Sequence, residues 1–284
     1  MSRTRGLAFT GFVLSEVDRD KIVELCRRSG AVGFEGSPPQ VDGMSRSAIE
    51  DLAEFFDQAG ITIDTFHLPF GRDVDVASFY ETDRRAAVRS ITEWIDRAAA
   101  LGAKAVIQHP ASSHAGTDVE GVSPFLDKLC ASLETLLPHA EKNGVRVAVE
   151  NMLPGRGCNF GCLPEHLAAV AERMAHPALA FCLDTGHAAV SRGIDGVGEF
   201  FDACGDLLTC FHLSDTAGDR DMHIAPGRGN VDWTTVFARA AELPSEIAMC
   251  IEVPPFAWGP PYADEAWAAL IADTRALMNG AHPS

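Results

Sequence analysis

The feature that most constrains the fold is a regular alternation of short apolar segments with longer amphipathic segments along the chain. The apolar segments are rich in Val, Ile, Leu, Phe or Ala, which is typical of buried strands. The predicted strands are Leu7–Leu14, Ala31–Glu35, Ile61–His67, Ala103–His109, Val145–Asn151, Leu179–Asp184, Leu207–Leu213 and Ile247–Val253. The predicted helices are Val17–Ser29, Ser45–Ala59, Thr82–Leu101, Ser123–Asn143, Pro164–Ala175, Ile194–Cys204, Trp233–Leu243 and Asp264–Asn279.

This strict alternation predicts an α/β fold in which parallel strands are covered by helices. Eight units favour a closed (β/α)8 barrel over an open doubly wound sheet. Four glycines, Gly30, Gly60, Gly102 and Gly144, stand where a helix should end and a strand begin. We find no linker or low-complexity segment, so residues 1–284 are predicted to form a single barrel domain. The proline-rich stretch 254–261 is predicted to be a long loop after the eighth strand.

The composition disfavours several classes of partner. The chain has 23 Lys and Arg against 40 Asp and Glu, which gives a net charge of −17. Nucleic acids and anionic membranes are bound mainly through Lys and Arg, so neither is an expected partner. No apolar run approaches the roughly 18 residues of a membrane span. Eight cysteines without a CxxC pair lie mostly in apolar runs, which predicts buried free thiols and a cytoplasmic protein.

Polar residues that can bind metals recur at the ends of the predicted strands. They are Glu35, His67, His109, Glu150, Asp184, His212 and Glu252. Each of these residues alone could cap a helix or hold a loop. In a parallel barrel, however, the carboxyl ends of all strands open onto one face, so the set predicts a single pocket. Because several buried carboxylates would repel one another, a divalent metal ion is expected among them. Three other histidines, His139, His166 and His176, fall on the faces or at the ends of predicted helices and are expected at the surface.

Several of these segments together resemble a known family. They are Phe66-His-Leu-Pro, Gln108-His-Pro, Ala148-Val-Glu-Asn, Cys182-Leu-Asp-Thr-Gly-His187, Phe211-His-Leu-Ser-Asp215, Asp221-Met-His-Ile-Ala-Pro-Gly-Arg-Gly229 with Asp232-Trp233, and Ile251-Glu-Val-Pro. The chain resembles the xylose isomerase-like TIM-barrel superfamily on residues 66 to 254. In that superfamily, sugar isomerases and epimerases share a fold with the endonuclease IV group of DNA-repair enzymes.

In the isomerase and epimerase branch, the resemblance implies one divalent metal ion held by Glu150, Asp184, His212 and Glu252. An oxygen-rich set of this kind suits Mn2+, Mg2+ or Co2+, and Zn2+ is also compatible. The family chemistry implies that the metal polarises a carbonyl and stabilises an enediolate while two glutamates, here Glu150 and Glu252, transfer protons. His187, expected in a turn after the sixth strand, matches the substrate-binding histidine of the family.

The endonuclease IV branch implies a different use of the same residues, because its three zinc ions have nine ligands. The matching candidates are His67, His109, Glu150, Asp184, His187, His212, Asp221, His223 and Glu252. Many isomerase-like relatives keep the same histidines and the Asp-x-His-x-x-Pro-Gly-x-Gly run, and there His67, His109, Asp221 and His223 would contact substrate hydroxyls or surround the metal. The ligand list is therefore compatible with both branches.

Charge and loop composition favour a small polyol over DNA. The segments 70–76 and 216–222 are mixed or acidic, whereas a DNA-binding face needs several Lys or Arg. We therefore predict a metal-dependent isomerase or epimerase of a small sugar, ketose or related polyol, phosphorylated or not. The alternatives are a metal-dependent dehydratase or other lyase on the same fold, an endonuclease IV-like enzyme, and a noncatalytic polyol-binding barrel, against which the complete ligand set argues. A homo-oligomer is compatible with the sequence.

Overall fold

The computed structural model describes residues 5–14, 17–112, 116–155, 158–243, 247–253 and 264–280. The strands in these ranges are β1 Leu7–Phe9, β2 Gly33–Phe34, β3 Thr65–His67, β4 Ala105–Gln108, β5 Arg146–Glu150, β6 Leu179–Asp184, β7 Leu208–Leu213 and β8 Met249–Ile251. The helices are α1 Arg19–Ser29, α2 Pro38–Val41, α3 Arg46–Gln58, α4 Glu81–Ala100, α5 Thr117–Glu120, α6 Val122–Lys142, α7 Pro164–Arg173, α8 Thr185–Arg192, α9 Gly196–Cys204, α10 Trp233–Ala240 and α11 Asp264–Met278.

The strands form a parallel barrel, which confirms the predicted (β/α)8 fold. The order around the wall is β2-β1-β8-β7-β6-β5-β4-β3. Parallel bridges between Gly33 and Thr62 and between Gly36 and Phe66 join the two ends of that order. The N–H of Gly36 donates to the carbonyl oxygen of Thr65 at 2.8 Å across the same junction. These contacts close the ring.

Side-chain size separates the two faces of the wall. Large side chains such as Phe66, Phe181 and Phe211 belong to the main core, where the strands pack against the helices. A separate buried cluster inside the barrel consists mostly of small residues, including Ala148 and Cys182. Successive residues of a strand point to opposite faces, so residues two positions beyond these small ones also face the interior. This alternation directs the predicted strand-end residues into the mouth of the barrel.

The structure differs from the sequence predictions in several places, and the short helices α2 and α5 are among the elements that were not predicted. The first strand ends at Phe9 rather than Leu14, because the chain turns into a short 3-10 helix at Gly11–Leu14, where it crosses close to the carbonyl group of Glu35. The helix α8, which begins directly after Asp184, was not predicted. The expected surface position of His166 is wrong, because its ring is 2% exposed and stacks on Phe160.

Other predictions agree with the structure. The glycines at the helix-to-strand junctions, Gly30, Gly60, Gly102 and Gly144, have φ values of 71–94°. All cysteines are free, and only Cys158 is more than slightly exposed. None of the described helices is long and apolar enough to cross a lipid bilayer. The predicted loop at 254–261 lies outside the described residues.

Candidate metal centre

Four of the predicted metal ligands lie on consecutive strands of the barrel wall. Glu150 and Asp184 are the last residues of β5 and β6, His212 is near the end of β7, and Glu252 follows β8. Because β5, β6, β7 and β8 are neighbours in the wall, their ends bring these side chains together. Asp184 lies directly opposite His212 in the strand register.

These four residues form a compact group, which we call the quartet. A ligand atom from each lies within 4.8 Å of the others. The Nδ1 atom of His212 is 3.0 Å from Glu150 Oε1 and 3.0 Å from Glu252 Oε2. Asp184 Oδ1 accepts a hydrogen bond from the N–H of His187, at 2.7 Å, whereas Oδ2 is buried without a hydrogen-bond partner among the described residues. The quartet therefore offers oxygen and nitrogen lone pairs around one point.

Burial and charge oppose each other throughout the quartet. Burial would raise the pKa of Glu150, but His212 and His109 lower it well below its ordinary range. Burial would likewise raise the pKa of Glu252, but His212 lowers it to about 2. Burial acts to lower the pKa of His212, yet the surrounding acidic groups raise it well above its ordinary value. In Asp184, burial raises the pKa to about 7, although His187 acts in the opposite direction. The carboxylates thus require a nearby positive charge, which a protonated His212 or a metal ion can supply.

His67 and His109 lie on the other side of Glu150. Their Nε2 atoms are 3.7 and 3.2 Å from Glu150 Oε2. His67 Nδ1 donates to the carbonyl oxygen of Leu68 at 2.8 Å, which leaves Nε2 as the free nitrogen of the neutral ring. Burial and the neighbouring His109 lower the pKa of His67, which favours the neutral ring. Phe70 stacks on His109 with ring centroids 4.7 Å apart.

His187, Asp221 and His223 form a third group beside the quartet. Asp221 Oδ2 is 2.7 Å from His223 Nε2 and 3.7 Å from His187 Nε2. The Nδ1 atoms of the two histidines donate to the carbonyl oxygens of Asn151 and Glu252, each at 2.8 Å. Burial would lower the pKa values of His187 and His223, but the acidic neighbours raise them to about 10 and about 9. His187 lies in the first turn of α8 rather than in an isolated turn, because Asp184 caps that helix.

A buried aspartate, Asp215, folds the loop that carries Asp221 and His223. Its carboxylate accepts hydrogen bonds from the backbone N–H groups of Thr216, Gly227 and Val231 at 2.8, 2.9 and 3.1 Å and from Trp233 Nε1 at 2.8 Å. Gly229 passes so close to the Asp215 carboxylate that a Cβ atom there would overlap it. The Pro-Gly-x-Gly run therefore lets the loop close on Asp215. His223 has φ of 42°, which is uncommon for a residue other than glycine and directs its ring toward Asp221.

A cavity of about 370 Å³ opens above these groups and is lined by Glu150, Glu252 and all five predicted substrate-binding residues. That volume lies in the range of small-molecule sites. Phe12, Phe70 and Leu153 give it apolar walls. Among the described residues that line it, none is Lys or Arg. A larger cavity, of about 670 Å³, lies outside the barrel near α8, α10 and α11, and none of the predicted site residues line it.

Two polar residues beside the predicted ligands, Asn151 and Asp215, have structural roles that the sequence does not predict, and Glu35, predicted at the same strand-end pocket, has a specific partner. Asn151 pairs with the backbone of Asp184, accepting from its N–H at 2.7 Å and donating to its carbonyl oxygen at 3.0 Å. Asp215 organises the loop described above. Glu35 was recognised at a strand end but without a partner, and it lies against His212. The sequence signal for these residues is their position alone, because Asn151 and Asp215 lie within quoted motifs and Glu35 lies at a predicted strand end.

Comparisons with known proteins agree with this architecture. A family model described as a xylose isomerase-like TIM barrel matches residues 23–276. A probable endonuclease 4 of Staphylococcus aureus strain JH9 is 30% identical over 215 residues, which cover 70% of this chain and 69% of that protein. The crystal structure of a D-tagatose 3-epimerase-like protein is similar with a TM-score of 0.77 at 23% identity, covering 97% of this chain and 98% of that one. A D-psicose 3-epimerase from Clostridium cellulolyticum H10, crystallised with D-tagatose, has a TM-score of 0.81 at 16% identity, covering 96% and 99%. The chain belongs to the xylose isomerase-like TIM-barrel family.

Proposed function

We propose that this protein is a divalent-metal-dependent isomerase or epimerase of a small sugar, ketose or related polyol. The observation that carries the proposal is the position of two glutamates. Glu150 and Glu252 each lie 3.0 Å from the same nitrogen of His212 and both line the cavity of about 370 Å³. Two carboxylates at one small cavity can act on a single bound molecule from two positions.

The quartet fits a divalent metal ion. Three carboxylates and one imidazole are a hard donor set that suits Mn2+, Mg2+ or Co2+, with Zn2+ also compatible. The buried Oδ2 of Asp184, which lacks a hydrogen-bond partner among the described residues, is available as a ligand. We infer that Glu150, Asp184, His212 and Glu252 would hold the ion. When bound, it would supply Lewis-acid polarisation of a substrate carbonyl.

The two glutamates would move the proton. Both pKa values are held low by His212, so both side chains are carboxylates at neutral pH. One would accept the proton from the carbon next to the carbonyl as the C–H bond breaks and its electron pair moves into an enediolate. If the second glutamate takes up a proton from water and donates it to the other face of that carbon, while the first releases its proton to water, the product is the epimer; if the first glutamate returns its proton to the neighbouring carbon, the product is the isomer. The reaction needs no oxidant or reductant.

The remaining cavity residues would hold the substrate. His67 and His109 lie within 3.7 Å of the Glu150 carboxylate, where they can contact hydroxyl groups. His187, Asp221 and His223 form the other polar group of the cavity. The apolar walls at Phe12 and Phe70 can pack against the C–H face of a sugar.

The test is turnover of a panel of ketoses, aldoses and inososes with Mn2+, in water and in D2O. Glu150→Gln and Glu252→Gln should each lower turnover by about 10²–10⁴-fold, the usual contribution of an acid–base group. Glu242→Gln is the matched control, because this glutamate is exposed just after α10, and it should leave turnover unchanged. Deuterium should appear at the carbon next to the carbonyl. Full activity of Glu252→Gln at saturating metal would remove that residue from proton transfer.

A second candidate is an endonuclease IV-like enzyme, which one observation favours. The nine residues predicted as zinc ligands all lie in connected groups around Glu150, the quartet and Asp221. The net charge of −17 argues against DNA binding. We expect no retardation of duplex DNA and no cleavage of an oligonucleotide with an abasic site. Robust cleavage that disappears in Glu150→Gln would refute the isomerase proposal.

A further inference from the structure

Glu35 lies inside the barrel beneath the quartet. It follows β2 and is 1% exposed. Its Oε2 atom accepts a hydrogen bond from Thr65 Oγ1 at 2.8 Å and lies 3.2 Å from Nε2 of His212. The backbone of Glu35 is fixed by its own N–H, which donates to Phe9 O at 2.7 Å. The carboxylate of Glu35 is therefore held at the Nε2 edge of the His212 ring, which points away from the other three residues of the quartet.

The two nitrogens of His212 thus face different carboxylates. Nδ1 lies 3.0 Å from both Glu150 and Glu252, whereas Nε2 faces Glu35. A neutral imidazole carries one proton, and only its other nitrogen can bind a cation. If Nδ1 is to bind the ion, Nε2 must keep the proton and needs an acceptor. Glu35 Oε2 is the acceptor in the right position.

We propose that Glu35 is a positioning residue that sets the tautomer and ring orientation of His212 for metal binding. This inference rests on the metal site of the proposed function. A carboxylate behind a metal-binding histidine raises the affinity of the site, because it fixes the ring and increases its basicity. The Glu35 side chain has no contact with the cavity, so it acts through His212 and not on the substrate.

A purely structural role explains the position of Glu35 less well. Its second oxygen, Oε1, is buried and has no hydrogen-bond partner among the described residues. A buried carboxylate with an unpaired oxygen is costly, and an apolar side chain of similar length would avoid that cost. Cys250 lies in the same buried layer beside Glu35 and His212. Burial raises the pKa of Cys250 well above its ordinary value, so it remains a neutral thiol there.

The experiment measures Co2+ binding to the full-length protein from the visible absorption of the bound ion. Glu35→Met keeps the length of the side chain and removes the acceptor, and it should weaken Co2+ binding by about 10–100-fold and change the absorption spectrum. Glu35→Gln keeps an acceptor oxygen without the charge, so its loss should be smaller. Cys250→Ala is the matched control from the same layer, and it should leave affinity within about threefold of wild type. Circular dichroism checks that each variant is folded.

A second measurement does not depend on the folding of a variant. A long-range 1H–15N spectrum of the Zn2+-loaded wild type should show the His212 proton on Nε2, with the signal assigned by its loss in His212→Gln. A proton on Nδ1 would overturn the inference, as would a folded Glu35→Met protein with wild-type affinity and spectrum. Equal losses of Co2+ affinity in Cys250→Ala and Glu35→Met would indicate an inner metal site that includes the thiol. That result would also contradict the positioning role of Glu35. If the wild type binds neither Co2+ nor Zn2+, the metal site of the proposed function is itself refuted. The outcomes above, in contrast, refute only the role of Glu35.

Discussion

Replacement of Asp215 by asparagine should strongly destabilise the protein. The carboxylate accepts four hydrogen bonds, two at each oxygen; three of them are buried, and the one from Gly227 is partly buried. An asparagine has one acceptor oxygen, so two of the four N–H donors would face an NH2 group instead. Each hydrogen bond to a charged acceptor contributes about 1.5–3 kcal/mol, so the loss of two predicts a decrease of about 3–6 kcal/mol in the free energy of unfolding.

Urea denaturation followed by circular dichroism measures this change through the midpoint and slope of the transition. Asp219→Asn is the matched control, because it makes the same change of charge at an exposed position of the same loop. It should alter the free energy of unfolding by no more than about 0.5 kcal/mol. A decrease of less than about 1 kcal/mol for Asp215→Asn would show that the loop does not depend on these hydrogen bonds.

Three further predictions concern the cavity and the metal. His187→Asn should raise KM more than it lowers kcat, because its proposed role is to hold a substrate hydroxyl, and an equal loss in kcat and kcat/KM would contradict that role. Phe70→Ala should raise KM by about 2–10-fold, the effect of one lost aromatic contact of about 0.5–1.5 kcal/mol, and an unchanged KM would exclude contact with the substrate. Elemental analysis should find one tightly bound divalent ion per chain, and its removal by a chelator should abolish turnover; close to three zinc ions per chain would favour the nuclease candidate.

The positions of the ligands could be predicted from the sequence because topology fixes them. Once eight parallel strands are recognised, residues such as Glu150 and His212 must meet at one end, although they are far apart in the chain. The contacts of Asp215 could not be predicted in the same way, since its donors come from a loop without a regular pattern. The pairing of Glu35 with His212 likewise depends on the radius of the closed barrel.

The helix boundaries show a second limit of sequence patterns. α8 was missed because Asp184 both ends a strand and caps the helix, and no connecting residue separates the two.

The burial of His166 was missed although its spacing gave a signal. It precedes the buried Val170 by four residues, which places both on the same face of α7. An imidazole on that face was read as polar, but its Nδ1 accepts a backbone hydrogen bond from Gly161 at 3.0 Å.

The location of the quartet on β5 to β8 has a consequence for local unfolding. All four residues come from strands that are consecutive in the wall, so the first four strands contribute none of them. A bound ion stabilises every state that keeps its ligands together, by about 2.7 kcal/mol at a free concentration of 100 times Kd. Opening of β1 to β4 would leave the quartet assembled, whereas opening of β5 to β8 would separate it. Metal should therefore slow amide hydrogen exchange in the second half of the barrel more than in the first, and so divide one continuous wall into two halves of unequal stability.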